Sequence, residues 1–104
     1  MSDPVTFPID MQAYAQECMD AWQAGDTARV DFLTSPMAKE HLAAIPDEYR
    51  GDDWVYDEAQ GGLGSVYLTW RNVSGDQMVY RFLNPGFDPD PGPAHQIRDV
   101  IWNP

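Results

Sequence analysis

The chain has 104 residues, of which 17 are acidic and six are basic, so its net charge is −11 with both histidines neutral. A chain of this length buries one small core, and an apolar fraction of 43% is ordinary for a folded protein, so residues 1–104 are expected to form one domain rather than two domains or a disordered chain. A charge of −11 repels phosphate backbones and anionic lipids, which argues against binding to nucleic acid or to a membrane surface.

The sequence also limits the cellular compartment and the covalent chemistry that the protein can have. The sequence contains no run of eighteen apolar residues, so no membrane insertion is expected. Residues 1–10 lack the basic and apolar regions of a signal peptide, which favours a cytoplasmic location, with an extracytoplasmic one as the alternative if a longer, tethered protein was trimmed. The single cysteine, Cys18, excludes an internal disulfide and a cysteine metal cluster, and no cofactor is expected.

Residues 1–45 read as helical. In the first helix, one face of a 3.6-residue period carries Met11, Tyr14, Ala15, Cys18 and Trp22. Gly25 has the position of a helix C′ residue, and Asp26 then caps a short second helix with Val30, Phe32 and Leu33. Ser35 and Pro36 have the order of N-cap and first residue of a third helix, with Leu42 and Ile45 on its inner side.

Residues 53–102 read as strands. The predicted segments are 54–58, 65–71, 77–83 and 94–102, and a turn at Ser74–Asp76 makes the second and third a hairpin. Gly61, Gly62 and Gly64 are expected to interrupt the first strand. Four prolines exclude a helix or inner strand from residues 84–93. The predicted class is α+β, with a long N-terminal helix and two short helices packed on a curved four-stranded antiparallel sheet.

Three stretches, Ala21–Asp26, Gly61–Trp70 and Val79–Asn84, resemble small actinobacterial domains of the nuclear-transport-factor-like or cystatin-like α+β fold. The resemblance implies a curved sheet around the first helix and a conical cavity, in which enzymes of this fold place Asp, His and Tyr. Many members carry a cysteine pair that is replaced here by Ala59 and Leu68, so the implied disulfide is lost. No catalytic motif matches residue for residue, and the fold alone does not specify an activity.

Catalysis has only weak candidates. His95 and Asp99 lie four residues apart on one predicted strand, a separation of about 13 Å, so their side chains cannot form a hydrogen bond. Asp57, from another strand, is the acid considered as a partner for His95. A structural role is the favoured interpretation for His95 and for His41, which has only apolar neighbours at helical spacing. Cys18 is expected to be buried, with no cation nearby to lower its pKa.

No metal site is expected, because the acidic residues 47–58 do not fit a calcium loop and an acidic turn is ordinarily solvated. The glycosylation sequon at Asn72 is attributed to turn formation. A filled space between helix and sheet is predicted from the large side chains of the first helix.

Aromatic residues supply the partner-binding candidates. Trp54, Tyr67 and Trp102 are predicted to be exposed on the open sheet face, which suggests a homodimer. Phe87 is the only large apolar residue of the proline-rich loop and is predicted to fold back as a lid or to anchor a partner protein.

Three functions stay open. The favoured one is a non-catalytic module that binds a protein partner or a small apolar ligand and dimerises through the sheet. The second is a small cavity enzyme of the isomerase, dehydratase or cyclase type, which needs His95, an Asp and Tyr67 or Tyr80 to converge. The third is an acidic mimic that occupies a basic surface of another protein.

Overall fold

The computed structural model describes the backbone of residues 6–84 and 94–104 and, within these ranges, the side chains from residue 11 onward. Helices α1 (Thr6–Ala24), α2 (Thr27–Leu33) and α3 (Pro36–Ala43) are followed by a 3₁₀ turn (Asp47–Gly51). Strands β1 (Val55–Gly62), β2 (Ser65–Arg71), β3 (Gln77–Leu83) and β4 (Ile97–Asn103) form one antiparallel sheet in the order β1-β2-β3-β4. The predicted α+β class is confirmed.

The helix ends follow the sequence signals. Gly25 ends α1 with φ 76°, a left-handed conformation that glycine adopts without strain. The Asp26 carboxylate accepts from the Arg29 amide at the start of α2. Ser35 Oγ accepts from the Ala38 amide at 3.2 Å and also donates to the Arg98 carbonyl at 2.9 Å. The cap of α3 therefore also ties this helix to β4.

Strands β1 and β4 each differ from the predicted segment by more than one residue at one end. Strand β1 runs through Gly61 and Gly62 and turns only at residues 63 and 64, because these glycines pair in register with Val66 and Ser65 instead of bulging. The irregularity lies between Tyr56 and Glu58. Strand β4 begins at Ile97 rather than at residue 94, because the backbone just before it bonds to the end of α2.

The space between α1 and the sheet is filled. Fully buried side chains come from both sides of this contact: Cys18, Met19, Leu68, Trp70, Met78 and Tyr80. The ring of Tyr14 packs edge-on against Phe82 at 5.8 Å between centroids. These buried side chains confirm the predicted filling of the space between α1 and the sheet.

A second aromatic cluster closes the end of the core where α1 stops. Trp54 lies edge-on to Trp22 at 6.5 Å and to Trp102 at 5.8 Å, and Tyr49 lies 4.6 Å from Trp102. The Trp54 indole donates to the Tyr49 carbonyl at 2.8 Å. On α2, Phe32 is 41% exposed, since Val30 and Leu33 fill the inner side of this two-turn helix.

We predict that Trp22→Ala lowers the free energy of unfolding by about 3–5 kcal/mol, because a buried aromatic side chain is removed from a packed cluster. Chemical denaturation followed by circular dichroism measures the change. Phe32→Ala is the matched control and should cost about 1 kcal/mol or less, since that ring is 41% exposed. Equal costs for the two variants would contradict the position of Trp22 in the core.

Candidate functional site

The structure separates the residues considered for catalysis. Asp57 accepts from Arg71 at 2.6 Å beside edge strand β1. His95 precedes β4 at the opposite edge of the sheet, so three strand spacings, about 14 Å, separate the two residues at the least. Its Nδ1 lies 2.7 Å from the Thr34 carbonyl, and its amide donates to the Phe32 carbonyl. His95 and Asp57 are therefore not brought together.

His95 serves to attach β4 to the helices. It is the only non-glycine residue with positive φ (59°) in the part of the chain that the structure describes. Histidine tolerates this conformation better than most residues, and the contacts with Thr34 and Phe32 fix it there. This position supports the structural interpretation.

His41 has a polar partner that sequence spacing did not reveal. Its Nδ1 lies 2.6 Å from Asp99 Oδ1, and the same oxygen accepts from the Val100 amide at 2.8 Å. The pair joins α3 to β4, from residues 58 positions apart in sequence. Only the packing of α3 along β4 creates this contact, so helical neighbour analysis could not find it.

Cys18 is buried and faces the phenol of Tyr80, which is itself fully buried. Burial raises the pKa of the Cys18 thiol to about 12, and it raises the pKa of Tyr80 well above its ordinary value. Both groups therefore stay protonated at neutral pH. A nucleophilic thiolate does not form here.

Asn72 is a structural residue. Its side-chain nitrogen donates to Asp52 and Asp76, both at 2.9 Å, and its side-chain oxygen accepts from the amides of Ser74 and Asp76. With four hydrogen bonds and 8% exposure, the amide holds the β2–β3 turn against the segment before β1. The turn interpretation of the sequon agrees with this geometry.

The aromatic partner-binding candidates lie on different faces. Trp54 (7% exposed) and Trp102 belong to the aromatic cluster beneath the helices, so the prediction that they are exposed on the open face is wrong. Trp102 turns inward because it pairs in register with the buried Met78, and Trp54, just before β1, packs against Trp102 and Trp22. Tyr67, beside the buried Leu68, points to the opposite side of the sheet and is half-buried. Phe87 lies outside the described residues.

The sheet face turned away from α1 is the candidate site, and we call it the outer face. Its two central rows of paired residues are Glu58, Thr69, Val79, Ile101 and Gln60, Tyr67, Arg81, Asp99. Arg71 and Leu83 lie on the same side beyond these rows. Residues of α1 and α2 pack on the inner face, whereas α3 runs along β4, where His41 contacts Asp99 at the edge of the outer face.

Charge is distributed unevenly between the two layers. On the outer face and its β1 edge, Asp57 pairs with Arg71, and Glu58 and Asp99 stand against Arg81, so three acidic residues face two basic ones. Between residues 17 and 53, which form the helical layer, nine acidic residues stand against three basic ones. The outer face is therefore nearly neutral in a protein of net charge −11, and it carries half-buried apolar groups at Tyr67, Leu83 and Ile101.

Other site classes find no support among the described residues. Within residues 11–84 and 94–104, no three His, Cys, Asp or Glu side chains are placed to hold a metal ion. No helix in the described ranges has the length and apolarity needed to cross a membrane. No family model, curated protein or solved structure matches this chain.

We predict that the free energy of unfolding falls as the pH rises from about 9 to about 12. The folded chain keeps the Cys18 thiol protonated up to about pH 12, whereas the unfolded chain releases this proton near 9.0, so unfolding releases a proton across that interval. Denaturant titrations at several pH values measure the decline. Cys18→Ala should make the decline less steep, with the part due to the buried Tyr80 phenol remaining, and a decline of unchanged slope would contradict the assignment.

Proposed function

We propose that the protein is a non-catalytic interaction module whose outer face binds a second copy of the same chain. The observation that carries the proposal is the near-neutral, partly apolar outer face of a strongly acidic protein. Two chains of charge −11 repel each other, and contact through this face keeps the acidic helical layers apart. An interface between identical chains is commonly two-fold symmetric.

The register of the outer face suits a two-fold contact. An axis that runs between β2 and β3, parallel to both strands, lays β2 of each copy over β3 of the other. Tyr67 then faces Arg81 of the second copy, because the two residues occupy one row of the sheet. Gln60 faces Asp99 in the same way. Cation–π and hydrogen-bond contacts thus form twice.

The size of the face sets the expected affinity. Four strands of about seven residues cover roughly 19 Å by 23 Å, or about 450 Å² on each copy. The total of about 900 Å² is at the low end for specific complexes. We therefore propose a dimer with a dissociation constant in the micromolar range, which forms and separates readily.

A cavity enzyme of the isomerase, dehydratase or cyclase type fits these positions less well. Tyr67 and Tyr80 lie on opposite faces of the sheet, and the hydroxyl of Tyr80 is fully buried. His95 bonds to the helix connection at the β4 edge. These residues do not converge on one cavity, which supports the binding interpretation.

We predict that Tyr67→Lys makes the protein monomeric without unfolding it, because it places a cation opposite Arg81 of the second copy. Sedimentation equilibrium across micromolar concentrations measures the association. Val73→Lys is the matched control, since Val73 is 91% exposed in the β2–β3 turn, away from the outer face. A wild-type mass of 11.7 kDa at all concentrations up to about 1 mM would refute the dimer.

We also predict that added salt strengthens the dimer. Screening weakens the repulsion between two chains of charge −11, while the contact itself is nearly neutral. Sedimentation at about 20 mM and about 500 mM sodium chloride should show tighter association at the higher concentration. An acidic mimic bound to a basic partner protein has the opposite dependence on salt. Weaker self-association at the higher salt concentration would therefore indicate that pairing of opposite charges holds the two copies together.

A further inference from the structure

Strand β1 is exposed on both faces. It stands first in the strand order and pairs with β2 alone, so no strand of the described chain lies along its other side. Every residue of β1 except Tyr56 is exposed. On the inner face, Ala59 and Gly61 are exposed although their register partners Leu68 and Val66 are buried. The covering of the inner face therefore ends at β2 and leaves β1 open.

The glycines of β1 are not required by the fold that the structure describes. Neither Gly61 nor Gly62 has a positive φ, so the backbone does not need glycine at either position. A Cβ built on Gly61 meets no atom of the described residues within 4 Å. Glycine weakens a strand interior, and it often marks a place where another chain approaches. An aromatic ring on a neighbouring strand can cover such a glycine.

The open edge is acidic. Residues 52–58 contain four acidic residues and no lysine or arginine. Asp57 is paired with Arg71, whereas Glu58 accepts only from the Gln60 amide at 3.1 Å and forms no ion pair with any described residue. This charge opposes pairing with a second β1 edge, but it attracts a strand that carries cations.

We propose that β1 accepts an extended segment of a partner protein as a fifth strand, in which basic residues alternate with apolar ones. Directly opposite residues of an antiparallel pair point to the same face of the sheet. Basic residues then lie opposite Glu58 and Gln60, and apolar residues lie opposite Ala59 and Gly61, with an aromatic ring over Gly61. Backbone hydrogen bonds supply affinity, and the alternation of side chains supplies specificity. The contact uses the edge of β1, so it does not require the dimer.

The test is a nuclear magnetic resonance titration of the full chain with a capped peptide of sequence Lys-Phe-Lys-Val-Lys. This peptide matches residues 58–62, which pair regularly with β2 beyond the irregularity, when it runs antiparallel to β1. Saturable shifts are expected at the amides of β1, together with slower exchange of these amides with solvent.

Two N-methylated forms of the peptide separate strand addition from the attraction of any cation to an acidic protein. One form is methylated at the backbone amides of Phe and Val, and the other at those of the three Lys residues. Only alternate amides of an added strand face its neighbour, so one form should lose binding while the other keeps it. A third form, with Ala in place of Phe, should bind more weakly than the parent because no ring covers Gly61.

Two variants examine the charge of the edge. Glu58→Lys should bind the parent peptide roughly three- to tenfold more weakly, since a cation then lies opposite a lysine. Glu48→Lys is the matched control, because it changes the net charge equally at an exposed position of the 3₁₀ turn, and it should bind nearly as wild type does. Absence of saturable shifts up to about 5 mM, equal affinity of the two methylated forms, or equal weakening by the two variants would overturn the proposal.

Discussion

The Trp70 indole joins three strands of the sheet to α1. Its ring is fully buried between Tyr56 of β1, at 5.1 Å, and Tyr80 of β3, at 5.2 Å. Its N–H donates to Gln16 on α1 at 3.1 Å. An indole N–H without a hydrogen-bond partner in such a core lowers the stability of the fold. The rotation of α1 must therefore bring Gln16 to the position in which the register of three strands places the Trp70 N–H. The filled inner side of the sheet follows from this agreement.

Filling the inner side decides where binding can occur. A sheet packed on a helix offers a ligand either the space between them or the surfaces that remain. In this chain Cys18, Trp70 and Tyr80 occupy that space, and burial keeps the pKa of the thiol and of the phenol high, so the interior contributes packing rather than reactivity. The outer face is a surface that remains open to a partner.

Local signals predicted the fold well. Gly25, Asp26, Ser35 and Pro36 gave the helix boundaries, because caps act through neighbouring backbone groups and can be read from adjacent residues. The limits of β2 and β3 were also correct, since a hairpin depends on its turn and on alternation. The α+β class follows from the order of these elements.

Long-range contacts were harder to predict. The His41–Asp99 contact depends on how α3 lies along β4, and the inward side of Trp102 depends on the register of the sheet. A shift of one residue would turn this ring to the outer face. Trp54 follows Trp102, because the two rings pack edge-on at 5.8 Å. Sequence patterns record neighbours along the chain, whereas these sites arise from segments far apart in it.

The two edges of the sheet are protected in different ways, which leaves the outer face as the surface for self-association. Thr34 bridges to Ile97, and the Ser35 amide donates to the Ile97 carbonyl, so the helix connection covers part of the β4 edge. Strand β1 carries a register irregularity next to Asp57 and Glu58, and like charges would oppose each other if two β1 edges met. Extension of the sheet from edge to edge is therefore disfavoured at both ends. Face-to-face packing avoids both obstacles, since it uses the side chains of Tyr67 and Arg81 and needs no free backbone groups.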